Sequence, residues 1–139
     1  MQAPAAEIRD EPPTTWVENA PGLRWRRMVE ANGAAMVMYW MRPGIRFQAH
    51  SHPVAELGVV LQGGGTTRIG SESRSLRAGD SFYIPPGVPH SFVVDEGTAV
   101  LMLNVTVPLS GGEAGASYAG IETLISEALD SRESEAPNL

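Results

Sequence analysis

The sequence contains no cysteine, and this absence excludes several kinds of site. Without a thiol the chain forms no disulfide, thiolate metal site or cysteine nucleophile, which leaves histidine and carboxylate as the available metal ligands. No stretch approaches the roughly 18 consecutive apolar residues of a transmembrane helix. The N-terminus also lacks a basic segment followed by an apolar run. We therefore expect a soluble, cytoplasmic protein with no membrane partner.

Positive charge is also scarce. The chain has 10 basic residues against 16 acidic ones, which gives a net charge of −6. Such a protein repels phosphate backbones, so we do not expect a nucleic-acid partner. Three arginines cluster at Arg24, Arg26 and Arg27. On a strand the first two share a face, which favours a solvated strand face over a clamp for an anionic substrate.

The 139 residues suffice for one domain, and 42% of them are hydrophobic, enough for one core. Residues 1–14 are rich in Ala, Pro and acidic groups and predict a flexible N-terminal arm. Residues 15–108 carry short apolar runs broken every eight to twelve residues by Gly, Pro or Asp, which predicts an all-β domain of about ten strands. Asn32-Gly33 predicts a tight hairpin between the first two strands.

Residues 109–139 predict a linker, one C-terminal amphipathic helix and a disordered tail. Apolar residues recur at helical spacing in this region at Ile121, Leu124, Ile125, Ala128 and Leu129. We expect this apolar stripe to pack against the wall of the β-domain or against a second subunit.

The protein has only three histidines, at His50, His52 and His90. His50 and His52 stand two residues apart on a predicted strand, so both rings point to one face. The turn at Pro53 can return Glu56 to the same interior, and taken alone the pair is equally compatible with two ordinary surface or core histidines. If all four side chains converge, one divalent transition metal such as Fe, Mn, Ni or Zn is the simplest partner for them. A Glu56 that does not bind the metal becomes the best general base, because burial would raise its pKa.

These residues stand in a recognisable spacing. Gly44, His50, His52, Glu56 and Gly63 resemble the first motif of the cupin family, and Gly79, Pro85, Gly87 and His90 resemble the second. The resemblance extends from about residue 23 to residue 107. It implies a jelly-roll β-barrel over residues 15–108, a metal held by His50, His52, Glu56 and His90, and frequently a homodimer formed along barrel edges. One position departs from the family: Val94 stands where the second motif often closes with Asn, so an activity that needs that amide is not carried over.

Alternation along the strands predicts the residues around the metal. Counted from His50 and Glu56, it directs a first set inward: Gln48, Gly58, Val60, Phe92 and Val94. On two further strands the pattern allows either face, namely Met36, Met38 and Trp40 or Val37, Tyr39 and Met41, and then Met102 and Asn104 or Leu101 and Leu103. For the substrate pocket we favour Met38, Trp40, Met102 and Asn104.

Chemistry at this site needs an open metal position and groups that handle protons. Gly58 is expected to leave free volume beside the metal for an exchangeable ligand. Glu56, Tyr39 and Gln48 are the candidate catalytic residues, with Tyr83 as a further uncharged group nearby.

Three functions follow from this reading. The first is a metal-dependent enzyme that uses the ion as a Lewis acid on a small organic substrate, which is aromatic, enolic or a carboxylate, in isomerase, cyclase or lyase chemistry. The family resemblance implies such activities, since small cupins include uronate-processing enzymes, polyketide cyclases and dimethylsulfoniopropionate lyases. The second is a dioxygenase of the non-haem iron type, and the third is a non-catalytic module that binds or senses a metabolite.

Overall fold

The computed structural model describes residues 16–108, where every regular element is a β-strand. The strands are β1 (Val17–Ala20), β2 (Leu23–Ala31), β3 (Ala34–Met41), β4 (Arg46–His50), β5 (Ala55–Gln62), β6 (Gly64–Ile69), β7 (Glu72–Arg77), β8 (Ser81–Ile84), β9 (His90–Val94) and β10 (Val100–Val107). Within these residues no helix is long and apolar enough to cross a membrane. The predicted N-terminal arm and C-terminal helix lie outside the described residues.

The strands form two antiparallel sheets. The six-stranded sheet has the order β1-β2-β3-β10-β5-β8, and the four-stranded sheet has the order β4-β9-β6-β7. One hydrophobic core joins them, since it combines Val37, Tyr39 and Met102 of the larger sheet with Phe47 and Val94 of the smaller one. The all-β fold class predicted from the sequence is confirmed for the described residues. Strand β1 was not among the predicted strands.

The β2–β3 hairpin has the predicted turn. Asn32 and Gly33 have φ angles of 53° and 81°, and Asn32 is the only non-glycine residue with positive φ among the described residues. Two consecutive positive φ angles suit the right-handed twist of the flanking strands, and Asn-Gly reaches them at low cost. The dipeptide therefore sets the register next to the turn, where Ala31 pairs with Ala34, and the register shifts between Arg27 and Glu30.

The face of β3 that points inward is the opposite of the one we favoured. Val37, Tyr39 and Met41 are buried, whereas Met38 and Trp40 are half-buried on the outer side of the sheet. The pairing with β10 is the reason. Residues opposite each other in an antiparallel pair share a face, and β10 places Met102 opposite Tyr39 and Leu103 opposite Met38.

Candidate metal centre

The four candidate ligands come together at one end of the fold. His50 is the last residue of β4, His90 is the first residue of β9, and their Cα atoms are partners in the β4–β9 register. Glu56 is the second residue of β5, and His52 lies in the connection between β4 and β5. The structure thus brings together residues that are up to 40 positions apart in the sequence.

A backbone hydrogen bond joins the two segments that carry the histidines. The Gly87 N–H donates to the His52 carbonyl at 2.8 Å. Gly87 has a φ of 76°, a conformation that a side chain would disfavour, which explains the glycine between the prolines before His90. Tying these segments together holds His52 and His90 in a fixed relation before any ligand binds.

All three imidazole rings are oriented in the same way. Each Nδ1 lies within hydrogen-bonding distance of a backbone carbonyl two residues away in the chain. The distances are 2.8 Å from His50 to Gln48, 3.0 Å from His52 to Val54 and 2.9 Å from His90 to Val88. Because a carbonyl can only accept, a neutral ring must carry its hydrogen on Nδ1 and keep the lone pair on Nε2. Three Nε2 atoms are therefore preset as metal ligands.

Three ligand atoms fit one ion. Glu56 Oε2 lies 3.5 Å from His52 Nε2 and 3.7 Å from His90 Nε2, and the three groups can offer ligand atoms all within 4.8 Å of one another. These distances are long for hydrogen bonds. They approach the separation of about 3.0 to 3.4 Å between two ligands that each stand about 2.1 Å from a shared metal. His52 Nε2 is buried without a hydrogen-bond partner, so His52, Glu56 and His90 could hold a metal ion.

His50 stands beside this group. Its ring centroid lies 4.3 Å from that of His90 and 6.3 Å from that of His52. It is not among the three residues whose ligand atoms meet. His50 therefore remains a predicted fourth ligand at the edge of the centre.

Asn104 fixes the orientation of the Glu56 carboxylate. Its Nδ2 donates to Glu56 Oε1 at 2.7 Å, and both side chains are buried. Burial raises the pKa of Glu56, but the neighbouring His52 and His90 together with the Asn104 hydrogen bond outweigh this and lower the pKa below its usual value. An ionised Glu56 is a ready metal ligand and a weak general base, which favours the ligand role.

The histidines differ in how easily they lose their proton. Burial lowers the pKa of His50 and that of His90, so both rings favour the neutral form that binds metal. Burial also lowers the pKa of His52, but the nearby Glu56 carboxylate and the Val54 carbonyl together outweigh it, and the pKa is raised. The Glu56 carboxylate thus favours the protonated form of His52 more than it would be favoured in water.

A cavity that opens to solvent adjoins this centre. Its wall is mostly apolar, and His50, Glu56 and His90 form part of it. The remaining lining residues are Tyr39, Met41, Phe47, Thr67, Leu76, Phe82, Ile84, Ser91, Phe92, Met102 and Asn104. A metal bound by Glu56 and His90 would face this cavity, which is the arrangement that an exchangeable ligand needs.

Several residues predicted for the pocket lie elsewhere. Gln48 is exposed, because the pairing of β4 with β9 is irregular between Phe47 and His50 and the simple alternation fails there. Val60 and Val94 are fully buried in the core and do not line the cavity.

Gly58 is buried, but the volume that we expected it to leave open is filled. A Cβ on Gly58 would overlap the ring of Phe82, its cross-strand partner on β8, and would lie 2.9 Å from Asn104 Oδ1. The glycine therefore makes room for an aromatic side chain and not for a metal ligand.

The cavity also contains residues that the sequence analysis did not single out. Phe47 and Phe82 are the largest of them, and Thr67 and Ser91 add polar groups. A signal for Phe82 was present, since a glycine inside a strand often accompanies an aromatic residue on the neighbouring strand. Of the residues predicted for the pocket or for catalysis, Tyr39, Glu56, Phe92, Met102 and Asn104 do line the cavity.

Comparison with known proteins agrees with this architecture. The family model described as "Cupin domain" matches residues 37–106. No curated protein matches the sequence. Among solved structures, the chain is similar to an RmlC-like cupin from Shewanella frigidimarina, with 22% identity, coverage of 73% of this chain and 90% of that one, and a TM-score of 0.66. It is also similar to KdgF from Halomonas sp., with 20% identity, coverage of 73% and 94%, and a TM-score of 0.65.

A third similar structure is salicylate 1,2-dioxygenase from Pseudoaminobacter salicylatoxidans, solved in complex with gentisate. It shares 22% identity over 63% of this chain and 26% of that one, with a TM-score of 0.56. At such identities these likenesses show a common fold, and the family match covers half of the sequence. The chain therefore belongs to the cupin domain family.

Proposed function

We propose that this cupin is a metal-dependent enzyme that converts a small organic substrate by redox-neutral chemistry of the isomerase, cyclase or lyase type. The observation that carries the proposal is the convergence of His52 Nε2, His90 Nε2 and Glu56 Oε2 beside an apolar cavity. A divalent ion held there supplies Lewis acidity to a substrate carbonyl, carboxylate or enol oxygen.

The wall of the cavity supports a substrate with an apolar body. Phe47, Phe82 and Phe92 surround the space, and none of the described residues that line it is Lys or Arg. A substrate with several negative charges would find no cationic side chain there. The lining therefore favours an aromatic or otherwise apolar molecule with one oxygen-bearing end near Glu56 and His90.

The residues around the ligands have distinct proposed roles. Asn104 orients Glu56 by its hydrogen bond, and ionised Glu56 contributes charge to the metal site. Tyr39, which lines the cavity, is the proposed group that donates or orients a proton at the substrate. The apolar side chains exclude water from the reacting end of the substrate.

A dioxygenase is the second candidate, because the three converging side chains are also of the types that such enzymes use. Two histidines and one carboxylate with open positions are typical of non-haem Fe(II) oxygenases. His52, His90 and Glu56 are such a set. The two candidates differ in the metal and in their need for dioxygen.

The deciding experiment is metal analysis of the protein purified without a histidine tag. Inductively coupled plasma mass spectrometry would compare the wild type with His52→Ala and His90→Ala, and Ser73→Ala on exposed β7 serves as control. About one equivalent of zinc, nickel or manganese, lost in both histidine variants and retained in the control, supports redox-neutral chemistry. Iron with substrate-dependent oxygen uptake supports the dioxygenase. Failure to bind any divalent metal would refute both and leave a metabolite-binding module.

A further inference from the structure

The outer surface of the six-stranded sheet is unusually apolar for a face directed away from the core. Side chains on β3, β10, β5 and β8 form it in register. We call this set the outer face: Met36, Met38, Trp40, Leu101, Leu103, Val105, Leu57, Val59 and Tyr83. Leu57 and Tyr83 are 43% and 50% exposed. The solvated face of an antiparallel sheet normally carries polar residues. The apolar outer face is therefore suited to contact with another apolar surface.

The strand pairing makes the outer face continuous. Met38, Leu103 and Val59 form one row across three strands, because Leu103 is the Cα partner of both others. A second row runs through Met36, Val105, Leu57 and Tyr83. Among residues 16–108, the strands of this sheet make their main contacts with neighbours within the sheet.

We propose that the C-terminal segment of this same chain, residues 117–130, packs over the outer face as an amphipathic helix. These residues lie outside the described part of the structure. Their sequence places Ile121, Leu124, Ile125, Ala128 and Leu129 on one side of a helix. An apolar stripe of this kind needs an apolar surface, and the outer face provides one.

The dimensions fit a single helix. Three strands at about 4.8 Å spacing and eight residues along β10 give a face of roughly 400 Å². A helix of 14 residues is about 21 Å long and 10 Å wide, so it fits within the outer face and covers about half of it. A second copy of the chain would normally bury about 800 Å² on each partner, roughly twice what this face offers.

The chain can reach the outer face from the end of β10. β10 ends at Val107, beside the middle of the same sheet, and eight residues (109–116) precede the segment. Extended, they span up to about 26 Å, more than the width of the outer face. The segment also carries acidic residues at Glu122, Glu127 and Asp130. Two basic residues lie at the edge of the outer face: Arg24, which already pairs with Glu18, and Arg26 are the β2 partners of Trp40 and Met38.

The absence of cysteine from the chain allows a direct test by cross-linking. One variant carries Leu103→Cys and Ile125→Cys, and it is treated at low protein concentration with a short thiol-specific bifunctional reagent. We expect an intramolecular product, identified by intact mass and by peptide mapping. The matched control pairs Leu103→Cys with Thr123→Cys, which lies on the opposite side of the predicted helix. We expect its cross-link to form several-fold more slowly.

A second measurement covers the case in which the cysteine variants fail to fold. The chain ending at Ala116 should bind several-fold more of a fluorescent apolar dye than the full chain and should retain its metal stoichiometry. Equal cross-linking rates for Ile125→Cys and Thr123→Cys, or equal dye binding by the two chains, would overturn the proposal. Cross-linked dimers joined through Leu103→Cys would also overturn it and assign the outer face to a second copy.

Discussion

The hydrogen bond from Asn104 to Glu56 leads to a quantitative prediction for Asn104→Ala. The bond is 2.7 Å long, joins two buried side chains and ends on a carboxylate. Hydrogen bonds to charged groups contribute about 1.5 to 3 kcal/mol. Loss of a group that orients a metal ligand typically reduces metal affinity by about 10- to 100-fold, or about 1.4 to 2.8 kcal/mol. We expect Asn104→Ala to bind zinc about 10- to 100-fold more weakly than the wild type does.

The assay is competition for zinc against a chromophoric chelator of known affinity. Val105→Ala is the matched control, because Val105 is the next residue on β10 but belongs to the outer face. It should change the stability of β10 without changing the orientation of the Glu56 carboxylate. Circular dichroism spectra of both variants would establish that each has the wild-type fold before affinity is compared.

The same substitution has an expected effect on the metal-free protein. Asn104→Ala leaves Glu56 Oε1 buried without this donor, so the variant should unfold at a lower urea concentration than the wild type. Zinc affinity equal to that of the wild type in a folded Asn104→Ala protein would refute the orienting role. An equal loss of zinc affinity in Val105→Ala would attribute the effect to general destabilisation of β10.

Three further predictions concern neighbouring residues. Gly58→Ala should lower the free energy of unfolding, measured in urea, by about 1 to 3 kcal/mol because the added Cβ overlaps Phe82. Phe82→Leu in the same chain should recover most of this loss. An unchanged free energy of unfolding in Gly58→Ala would contradict this packing. Burial lowers the pKa of His52, but the Glu56 carboxylate and the Val54 carbonyl together raise it above its usual value, so zinc binding at about pH 6.5 should release a proton from that ring and weaken as the pH falls. Calorimetry in two buffers of different ionisation enthalpy counts the proton, and a count of zero would contradict the shift. His50→Ala should weaken zinc binding less than His52→Ala, and equal losses in the chelator assay would place His50 in the inner ligand set.

The fold and the approach of His52 to Glu56 were predictable because their signals are local. Short apolar runs between turn residues predicted the strands, and Asn32-Gly33 predicted the first hairpin, whose φ angles are both positive. The spacing of His52 and Glu56 across one turn placed them near each other, since the intervening chain is too short to separate them. His90 was harder, and only its position in the second motif connected it with the other residues.

The side chains around the metal could not be predicted equally well, because irregular pairing is not visible in the sequence. The irregularity between Phe47 and His50 turns Gln48 outward and Phe47 into the cavity. A bulge of one residue reverses the alternation beyond it, and nothing in the run Arg46–His50 marks its position.

The orientation of β3 shows what additional information was needed. Both of its faces are apolar, so alternation alone cannot choose between Met38 and Tyr39. On β10, Met102 and Asn104 do point inward, and the polar Asn104 finds its partner, Glu56, there. The two choices were not independent: residues opposite each other share a face, and the register places Met102 opposite Tyr39. A polar residue with a buried partner therefore fixes the face of its own strand and, through the register, the face of an apolar neighbour that carries no signal of its own.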